Sequence, residues 1–510
     1  MCQIFVCSLW GATALLLSMG CGPGQESESS SPEQEVRRQN GHLLTGRGLL
    51  FLQQGRPTRA LTVSKEAQQL IPEAPEPYFN MGLAYSRLGR HAEAIEAFEL
   101  ARALGPANAA QFFALGLSLR AQDRDQEAAG EFRKAIDLAP DRADFHYALG
   151  EVLRSISDFS GAISAFEVAI RLDSSHIEAH FYRSDLLART QRLDEAEAGY
   201  RRTLVLSPER TATYLGLGRL LSKQRRFAEA IDILQQAIAI NPRGSNVYYF
   251  LSQAQRQAGN EQEAETALAV FQHLHAAEQH LEQGDMYAVR GKWELAIAAW
   301  SQAIAVDSAS VDAYIRVGET HLRQGDLEAA LPVLKRGLAV TPQNLVLRCL
   351  LGEAYLVADN PTAAVQTFAE ALRQEPTSLR ALYGLGRTDL AAGNLPGAVA
   401  WFQRRLDIDP DDVESHYHLG LAYVRQRLYA KALTCFQQSV AIDPSHVRAH
   451  YALGRLHVEQ AADAKARAAF ATVLKLEPDH ARAREEMALR DEWGDLIDQN
   501  AAGTSGDENE

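Results

Sequence analysis

The side chains best suited to metal chemistry in this sequence are three histidines, His273, His275 and His280, which lie close to Glu278 and Glu282. Imidazole and carboxylate groups are common ligands of zinc and related ions. If this segment is helical, however, His273 and His275 diverge by about 200° around the helix axis, because residues two apart do not share a face. We therefore interpret these side chains as solvated or packed residues and predict no metal site.

Motifs for catalysis and for cofactor binding are absent from the sequence. There is no phosphate-binding loop, nucleophile elbow, zinc-binding helix motif or dinucleotide fingerprint. Titratable residues recur at fixed intervals, as surface and packing residues do, and do not converge on one site. We therefore predict a protein without enzymatic activity and without a cofactor. The formal net charge of −14 disfavours nucleic acid as a partner, since phosphate binding requires clustered Lys and Arg.

Alanines at a nearly constant spacing organise the chain. Eleven of the twelve intervals between them are 34 residues, and the interval from Ala264 to Ala296 is 32. A fixed period over most of a chain indicates that one small structural element is stacked many times. The alanines are Ala60, Ala94, Ala128, Ala162, Ala196, Ala230, Ala264, Ala296, Ala330, Ala364, Ala398, Ala432 and Ala466.

Each repeat is predicted to form a pair of helices. In the second repeat, Gly89 marks a short turn, because glycine readily adopts the left-handed conformation that ends a helix. The helix after the turn carries Ala94 and Phe98 on one face and stops before Pro106. Gly82 precedes Ala94 by twelve residues, and a small residue holds the same place in every repeat. We predict that the two helices cross closely at these small residues.

These spacings make the sequence similar to the tetratricopeptide repeat (TPR) family, which has the same period and the same pattern of small residues and proline. The resemblance implies an all-α fold, a right-handed superhelical solenoid of about thirteen helix-turn-helix repeats with a C-terminal cap helix over residues 481–499. The predicted repeats are 41–74, 75–108, 109–142, 143–176, 177–210, 211–244, 245–276, 277–310, 311–344, 345–378, 379–412, 413–446 and 447–480.

The 32-residue interval predicts an irregularity in the stack. Between Asn260 and Gly284 the sequence has neither glycine nor proline, so Glu261 to Gln283 can form one long helix. We expect this helix to divide the solenoid into repeats 1–7, residues 41–276, and repeats 8–13, residues 277–480. The irregularity could act as a hinge between two binding surfaces, or it could be a tolerated variation.

The N-terminal residues differ from the repeats in composition. No charged side chain precedes Glu26, and Ile4 to Met19 are mostly apolar. This stretch is too short to span a membrane comfortably and suits a secretory signal. The segment 17–21, LSMGC, resembles a bacterial lipoprotein signal, which implies a signal peptide over residues 1–21 and acylation of Cys21. An ordinary cleaved signal and an unprocessed N-terminus remain alternatives.

Polar segments flank the repeats. Residues 22–40 are polar and low in aromatic residues, so we expect them to be a disordered tether, and we expect residues 500–510 to be a disordered acidic tail. If Cys21 is acylated, the protein contacts a membrane through the lipid anchor only, and the tether holds the repeats away from the membrane surface.

By resemblance to the family, the first helix of each repeat lines a concave groove, and its second, fifth, ninth, twelfth and thirteenth residues point into it. At the twelfth position the later repeats carry an apolar stripe, whereas earlier repeats carry small or basic residues such as Ser86, Arg120 and Arg256. An apolar stripe on an exposed face is typical of a protein-binding groove, but neighbouring repeats could also half-bury these side chains. Arg380 and Arg448 lie beside the stripe. The candidate partner-binding residues are Leu322, Leu356, Leu390, Val424, Val458, Tyr383, Tyr417, Tyr451, Arg387 and Arg455.

Together these features predict a non-enzymatic scaffold or adaptor that binds a protein or peptide segment in the concave groove, chiefly along residues 311–480. The lipoprotein-like signal places the protein in the bacterial cell envelope, lipid-anchored or periplasmic. Proteins of this arrangement resemble factors of envelope assembly, secretion, pilus or polysaccharide-export machinery. The alternative is a substrate-presenting accessory subunit of a separate enzyme such as a glycosyltransferase or peptidase.

Overall fold

A computed structural model describes residues 32–489 of the chain. The regular elements in this range are all α-helices, and no strand occurs there. The predicted all-α class is therefore confirmed, while the right-handed sense of the solenoid and its number of repeats stay predictions. The predicted signal peptide with Cys21, residues 22–31 of the tether, residues 490–499 of the cap helix and the acidic tail lie outside the described residues.

The chain divides into two compact bodies, an N-terminal body that ends at Leu274 and a C-terminal body that starts at His275. In the N-terminal body, short turns connect helices that pack in sequence order. These helices are α1 (Pro32–Gln53), α2 (Pro57–Leu70), α3 (Pro75–Arg87), α4 (His91–Leu104), α5 (Ala109–Arg120), α6 (Asp125–Leu138), α7 (Ala143–Ser155), α8 (Phe159–Leu172), α9 (Ile177–Arg189), α10 (Leu193–Leu206), α11 (Thr211–Lys223), α12 (Phe227–Ile240) and α13 (Ser245–Ala258).

Helix α14 (Glu261–Val289) contains the boundary, and the C-terminal body repeats the same pattern after it. Residues 481–489 are also helical, within the predicted cap helix. The later helices are α15 (Trp293–Val306), α16 (Val311–Gln324), α17 (Leu327–Val340), α18 (Leu345–Val357), α19 (Pro361–Gln374), α20 (Leu379–Ala391), α21 (Leu395–Ile408), α22 (Val413–Arg425), α23 (Tyr429–Ile442), α24 (Val447–Glu459) and α25 (Asp463–Leu476).

Helix α14 occupies the 32-residue interval, as the sequence predicts. It is continuous over 29 residues and extends beyond Gln283, the expected end of the long helix. The boundary between the two bodies, after Leu274, lies within this helix and close to the predicted division after residue 276. The absence of proline from α14 explains its continuity, because every residue can donate its backbone hydrogen bond, and Gly284 is accommodated within the helix.

The short turns inside the helix pairs share one backbone feature, a residue in the left-handed region. In six turns this residue is a glycine, as predicted for Gly89, whose φ is 73°. In seven turns it is another residue type, with φ from 53° at Asp359 to 67° at Gln191. These positions follow the period of the alanines, including the short interval, which falls between Gly259 and Gly291. The turn geometry is therefore constant even where the side chain is unfavourable for it.

The predicted close crossing of the paired helices is confirmed at the repeat glycines. A Cβ atom at Gly82 would lie 2.5 Å from the ring of Phe98, and a Cβ atom at Gly116 would lie 2.6 Å from the ring of Phe132. Both rings are buried, and Ala94, four residues before Phe98, is fully buried as well. The glycine of a repeat and the bulky residue of its second helix thus occupy adjacent space, and the close packing excludes a larger side chain at the glycine.

Helix α1 corrects the predicted tether. The sequence predicts disorder up to residue 40, but the helix already begins at Pro32. Proline suits the first position of a helix, since its fixed φ is helical and its missing N–H needs no partner there. In addition, Nη2 of Arg37 donates a hydrogen bond to the carbonyl oxygen of Gln69 at 2.7 Å. Residues 32–40 are helical despite their polar composition, because they extend a helix whose later residues, such as Gly48 and Leu52, are buried.

Within residues 32–489, no helix combines the length and the apolar character that crossing a membrane requires. In the same range, no group of three or more His, Cys, Asp or Glu side chains is placed to hold a metal ion. In the histidine-rich segment, Nδ1 of His275 lies 3.6 Å from Oε2 of Glu278, and its Nε2 lies 3.1 Å from the amide nitrogen of Gln279.

Candidate protein-interaction groove

Three of the predicted groove residues line one cavity in the C-terminal body. Leu356, Arg387 and Leu390 contribute to a cavity of about 340 Å³ between α18, α20 and α22. We call it the apolar cavity. The same three helices supply its other lining residues, Val357, Ala391, His418, Leu421 and Arg425.

The starts of these helices determine which side chains face the apolar cavity. The side chain of Asn344 accepts a hydrogen bond from the backbone amide of Leu347, and the side chain of Asp412 accepts one from the backbone amide of Ser415. Such N-caps satisfy amides that have no partner inside the helix. Because α18, α20 and α22 begin one repeat apart, residues 34 positions apart lie on equivalent faces of successive helices.

One wall of the apolar cavity is continuous with the packed interior. Leu390 is only 7% exposed and belongs to the hydrophobic core of its repeats, whereas Leu356 and Leu421 are half-buried. The exposed parts of Leu356 and Leu421 can therefore be covered by a ligand. Removing apolar area from water is favourable by about 25 cal/mol per Å², which offsets part of the cost of association.

Arg387 brings an unpaired positive charge to this wall. Its guanidinium lies 5.7 Å from the ring centre of Tyr383, and it forms no ion pair with any residue of the range 32–489. The side chain is half-buried, so solvent screens its charge less than that of a fully exposed arginine. A carboxylate that enters the cavity would meet a planar set of donors with no competing acid.

Two other arginines near the predicted stripe already bind acidic side chains of the protein. Nη1 of Arg455 lies 2.9 Å from Oε1 of Glu486, and Nε of Arg380 lies 2.6 Å from Oε1 of Glu353. These internal ion pairs use the guanidinium groups that the sequence assigned to carboxylates of a partner. Arg387 differs from both because it has no such acid in the described part of the chain.

Glu414 forms the centre of a polar network beside the apolar cavity. Its contact with His446, 3.4 Å from Nε2 to Oε1, and the charge of Arg448 lower the pKa of Glu414 to about 2. The hydroxyl of Tyr383 donates to Oε2 of Glu414 at 3.5 Å, and burial raises the pKa of Tyr383 to about 12. Nδ1 of His418 lies 2.9 Å from the carbonyl oxygen of Glu414, and burial lowers the pKa of His418. Arg448 is therefore also engaged within the protein.

The structure places the other predicted tyrosines away from the apolar cavity. The ring centre of Tyr417 lies 5.9 Å from that of Phe436. Tyr451 packs against Phe470 at 5.7 Å and lines, together with Arg455, a separate cavity of about 290 Å³. The aromatic residues at the fifth positions thus contribute mainly to packing between paired helices.

The remaining residues of the predicted apolar stripe contact the hydrophobic core. Leu322, Val424 and Val458 are half-buried, and each packs against an apolar cluster of the C-terminal body. Their environment matches the alternative interpretation of the stripe, in which neighbouring repeats half-bury the twelfth residues. The structure therefore divides the stripe, with Leu356 and Leu390 at a cavity and these three residues in packing contacts.

The candidate residues named from the sequence omitted five lining residues of the apolar cavity. Val357, Ala391 and Arg425 occupy thirteenth positions and Leu421 occupies a ninth position, and the family resemblance assigns both positions to the groove. His418 occupies a sixth position, and the packing of three repeats around one cavity brings it there.

Family models match most of the described chain. Models described as "Tetratricopeptide repeat" match residues 75–108, 113–177, 147–210, 221–279, 321–373 and 349–413, and one described as "TPR repeat" matches residues 284–325. The chain belongs to the tetratricopeptide repeat family. A model of the "Cilia and flagella-associated protein 70 middle TPR-like domain" also matches residues 382–497 of this TPR chain.

Solved structures that resemble this TPR chain share little sequence with it. The anaphase-promoting complex assembly Cut9–Hcn1 is 16% identical over 94% of this chain and 98% of its own, with a TM-score of 0.41. YrrB, described as a TPR protein with an unusual peptide-binding site, is 23% identical over 36% and 95%, with a TM-score of 0.34. PilF of Pseudomonas aeruginosa is 20% identical over 43% and 99%, with a TM-score of 0.37. At these values the likeness concerns the repeat fold alone. Among curated proteins, no significant match was found.

Proposed function

We propose that this TPR chain is a non-enzymatic adaptor that binds a peptide segment of a protein partner in the apolar cavity. One observation carries the proposal: Arg387, without an ionic partner among the described residues, lies beside the partly exposed side chains of Leu356 and Leu421. An apolar wall with one free guanidinium suits a segment that places an apolar side chain next to a carboxylate.

The size of the apolar cavity limits what it can accept. Its volume of about 340 Å³ is at the low end of the range for ligand pockets. One anchoring side chain and its neighbours fit such a space, whereas a folded domain does not. A few contacts at the centre of an interface usually supply most of its binding energy, so Arg387 and Leu356 are the residues to test first.

A peptide library selected on the immobilised full chain tests this proposal. We expect the selected peptides to combine Leu, Ile, Met or Phe with a nearby Asp or Glu. Their affinity should fall at least tenfold, about 1.4 kcal/mol, for Arg387→Glu and for Leu356→Glu, as measured by isothermal titration calorimetry. Leu390 is a poor probe, because a glutamate at this buried position would destabilise the fold itself.

Arg373→Glu is the matched control for the charge change. Arg373 lies on α19, the second helix of its repeat, and its side chain is 74% exposed. This variant should retain the affinity of the unmodified protein within twofold. Unchanged binding by Arg387→Glu, or an equal loss with Arg373→Glu, would contradict a binding site at the apolar cavity.

We also propose that the protein acts in the bacterial cell envelope, held there by a lipid on Cys21. Support comes from the sequence, in which an uncharged apolar stretch precedes Gly20 and Cys21. Metabolic labelling with a palmitate analogue tests the proposal when the unmodified protein is compared with Cys21→Ala. Label on the unmodified protein alone supports acylation of Cys21, and equal labelling of both proteins contradicts it.

A further inference from the structure

The N-terminal body contains a second cavity, which differs from the apolar cavity in charge. It has a volume of about 620 Å³ and lies between α11 and α13. Four basic residues line it, Arg219, Lys223, Arg225 and Arg256, together with the aromatic rings of Phe227 and Phe250. The remaining lining side chains are polar and uncharged, and none is acidic. We call it the basic cavity.

The four positive charges of the basic cavity have no counter-ion within residues 32–489. None of the four side chains forms an ion pair with a residue in the described part of the chain. Arg219 contacts a ring instead, with its guanidinium carbon 4.9 Å from the centre of Phe250. Like charges in one cavity repel each other, so this arrangement raises the free energy of the unliganded protein.

Neighbouring arginines of the same body show the opposite behaviour. Nη1 of Arg120 lies 2.8 Å from Oε2 of Glu151, which also contacts Arg154 at 3.7 Å. Arg210 contacts both carboxylate oxygens of Glu178. The protein carries a net charge of −14 and thus has enough acidic residues to pair its cations. The basic cavity thus gathers four cations without an acidic partner among the described residues, whereas Arg120, Arg154 and Arg210 each contact a glutamate.

The backbone conformation of Arg225 is unfavourable as well. It is the left-handed residue of the turn between α11 and α12, with φ of 64°. The equivalent residue of the following turn is Gly259, with φ of 86°. A left-handed conformation costs a non-glycine residue about 1 to 2 kcal/mol, so the protein keeps a cation at a place where glycine would be more favourable.

We propose that the basic cavity binds an acidic peptide segment in which carboxylates flank an aromatic or aliphatic side chain. The carboxylates would pair with Lys223, Arg225 and Arg256, and the apolar side chain would contact the half-buried rings of Phe227 and Phe250. A longer polyanion such as nucleic acid fits less well, because the arginines towards the N-terminus are already neutralised by glutamates. This site is independent of the apolar cavity and does not rest on the function proposed for it.

Fluorescence anisotropy on the full chain tests this proposal with a labelled peptide of alternating Glu and Phe residues. The double variant Lys223→Glu with Arg256→Glu should weaken binding at least tenfold, and Lys223→Gln with Arg256→Gln should weaken it less. Both side chains are exposed, so the helical circular dichroism should not change. A peptide with Gln in place of Glu should bind at least tenfold more weakly than the acidic peptide.

The control variant Arg171→Glu with Arg202→Glu makes the same change in net charge on α8 and α10. We expect this control to bind the acidic peptide within twofold of the unmodified protein. An equal loss in this control would overturn the proposal, since binding would then reflect net charge. Equal binding of the Gln peptide, or stronger binding of an oligothymidylate competitor, would overturn it as well.

Discussion

The guanidinium of Arg425 donates a hydrogen bond to the carbonyl oxygen of Leu390, with a distance of 2.6 Å from Nη1 to that oxygen. Leu390 lies in the last turn of α20, where carbonyl groups lack partners inside the helix and the helix dipole favours a positive charge. Arg425 comes from the end of α22, one repeat later. The contact thus joins two walls of the apolar cavity and keeps the Arg425 side chain at its edge.

We expect Arg425→Met to destabilise the C-terminal body by about 1 to 2 kcal/mol. Methionine preserves most of the side-chain length but removes the charge-assisted hydrogen bond to Leu390. Urea unfolding followed by circular dichroism measures the effect. Arg427→Met, in the adjacent turn, provides a control without this hydrogen bond and should change the unfolding midpoint much less.

Glycine substitutions test the close packing of the paired helices. Gly116→Ala should lower the free energy of unfolding by about 1 to 3 kcal/mol, because its Cβ would overlap the ring of Phe132. Gly130→Ala is the matched control in the next helix, since no atom lies within 4 Å of the added Cβ. Alanine favours the helix there, so this variant should be stabilised by about 0.5 to 1 kcal/mol. Equal destabilisation of both variants in urea would contradict the packing at Gly116.

At the turns between paired helices, we expect a glycine to stabilise the protein where another residue type now has a left-handed conformation. Ala461 has φ of 54°, a left-handed conformation that glycine adopts without steric cost. We expect Ala461→Gly to raise the thermal midpoint. The free energy of unfolding should increase by about 1 kcal/mol, a value that already includes the greater freedom of glycine in the unfolded chain. Gly393→Ala, at the same position of an earlier turn with φ of 80°, should lower the midpoint. A lower midpoint for Ala461→Gly would show that the turn is not strained.

The network around Glu414 predicts a dependence of stability on pH. The pKa of Glu414 is lowered from 4.5 to about 2 by His446 and Arg448, with His418 and Tyr383 also facing the carboxylate. A lowered pKa stabilises the folded state above pH 4.5, and this contribution is lost as the pH falls towards 2. The side chain is 36% exposed, so solvent screening reduces the contribution to about 1 kcal/mol.

Urea unfolding at several pH values compares the unmodified protein with Glu414→Gln. The unmodified protein should be more stable above pH 5, and the difference should shrink as the pH is lowered towards 2. A difference that does not change with pH would show that the contacts of Glu414 do not depend on its charge.

The helix pairs were predictable because their determinants are local. The spacing from Gly82 to Ala94 and Phe98 determines which residues meet where the two helices of one pair cross. Gly89 indicated the turn for the same reason, because the left-handed conformation of a single residue ends the first helix. The start of α1 at Pro32 was not predictable from composition, because disordered segments and exposed helix ends use similar polar residues.

The candidate sites were less predictable because they depend on residues from several repeats. The sequence placed Arg455 and Arg387 in the same class, and only the structure shows that Arg455 pairs with Glu486 while Arg387 has no acidic partner among the described residues. The basic cavity was missed for a similar reason. Arg256 stood out at a twelfth position, but its proximity to Lys223 of the preceding repeat follows from the packing of α11 against α13.

A reciprocal charge exchange at Arg387 tests the central claim most directly. Calorimetry would measure the affinity of a selected acidic peptide, and of its counterpart with Lys in place of the acid, for the unmodified protein and for Arg387→Glu. If the carboxylate pairs with Arg387, the acidic peptide should bind the variant at least tenfold more weakly than the unmodified protein. Replacing the acid of the peptide by Lys should then restore at least part of the affinity for the variant. If the variant weakens both peptides equally, or neither, the partner does not bind at Arg387 and the apolar cavity is not the binding site.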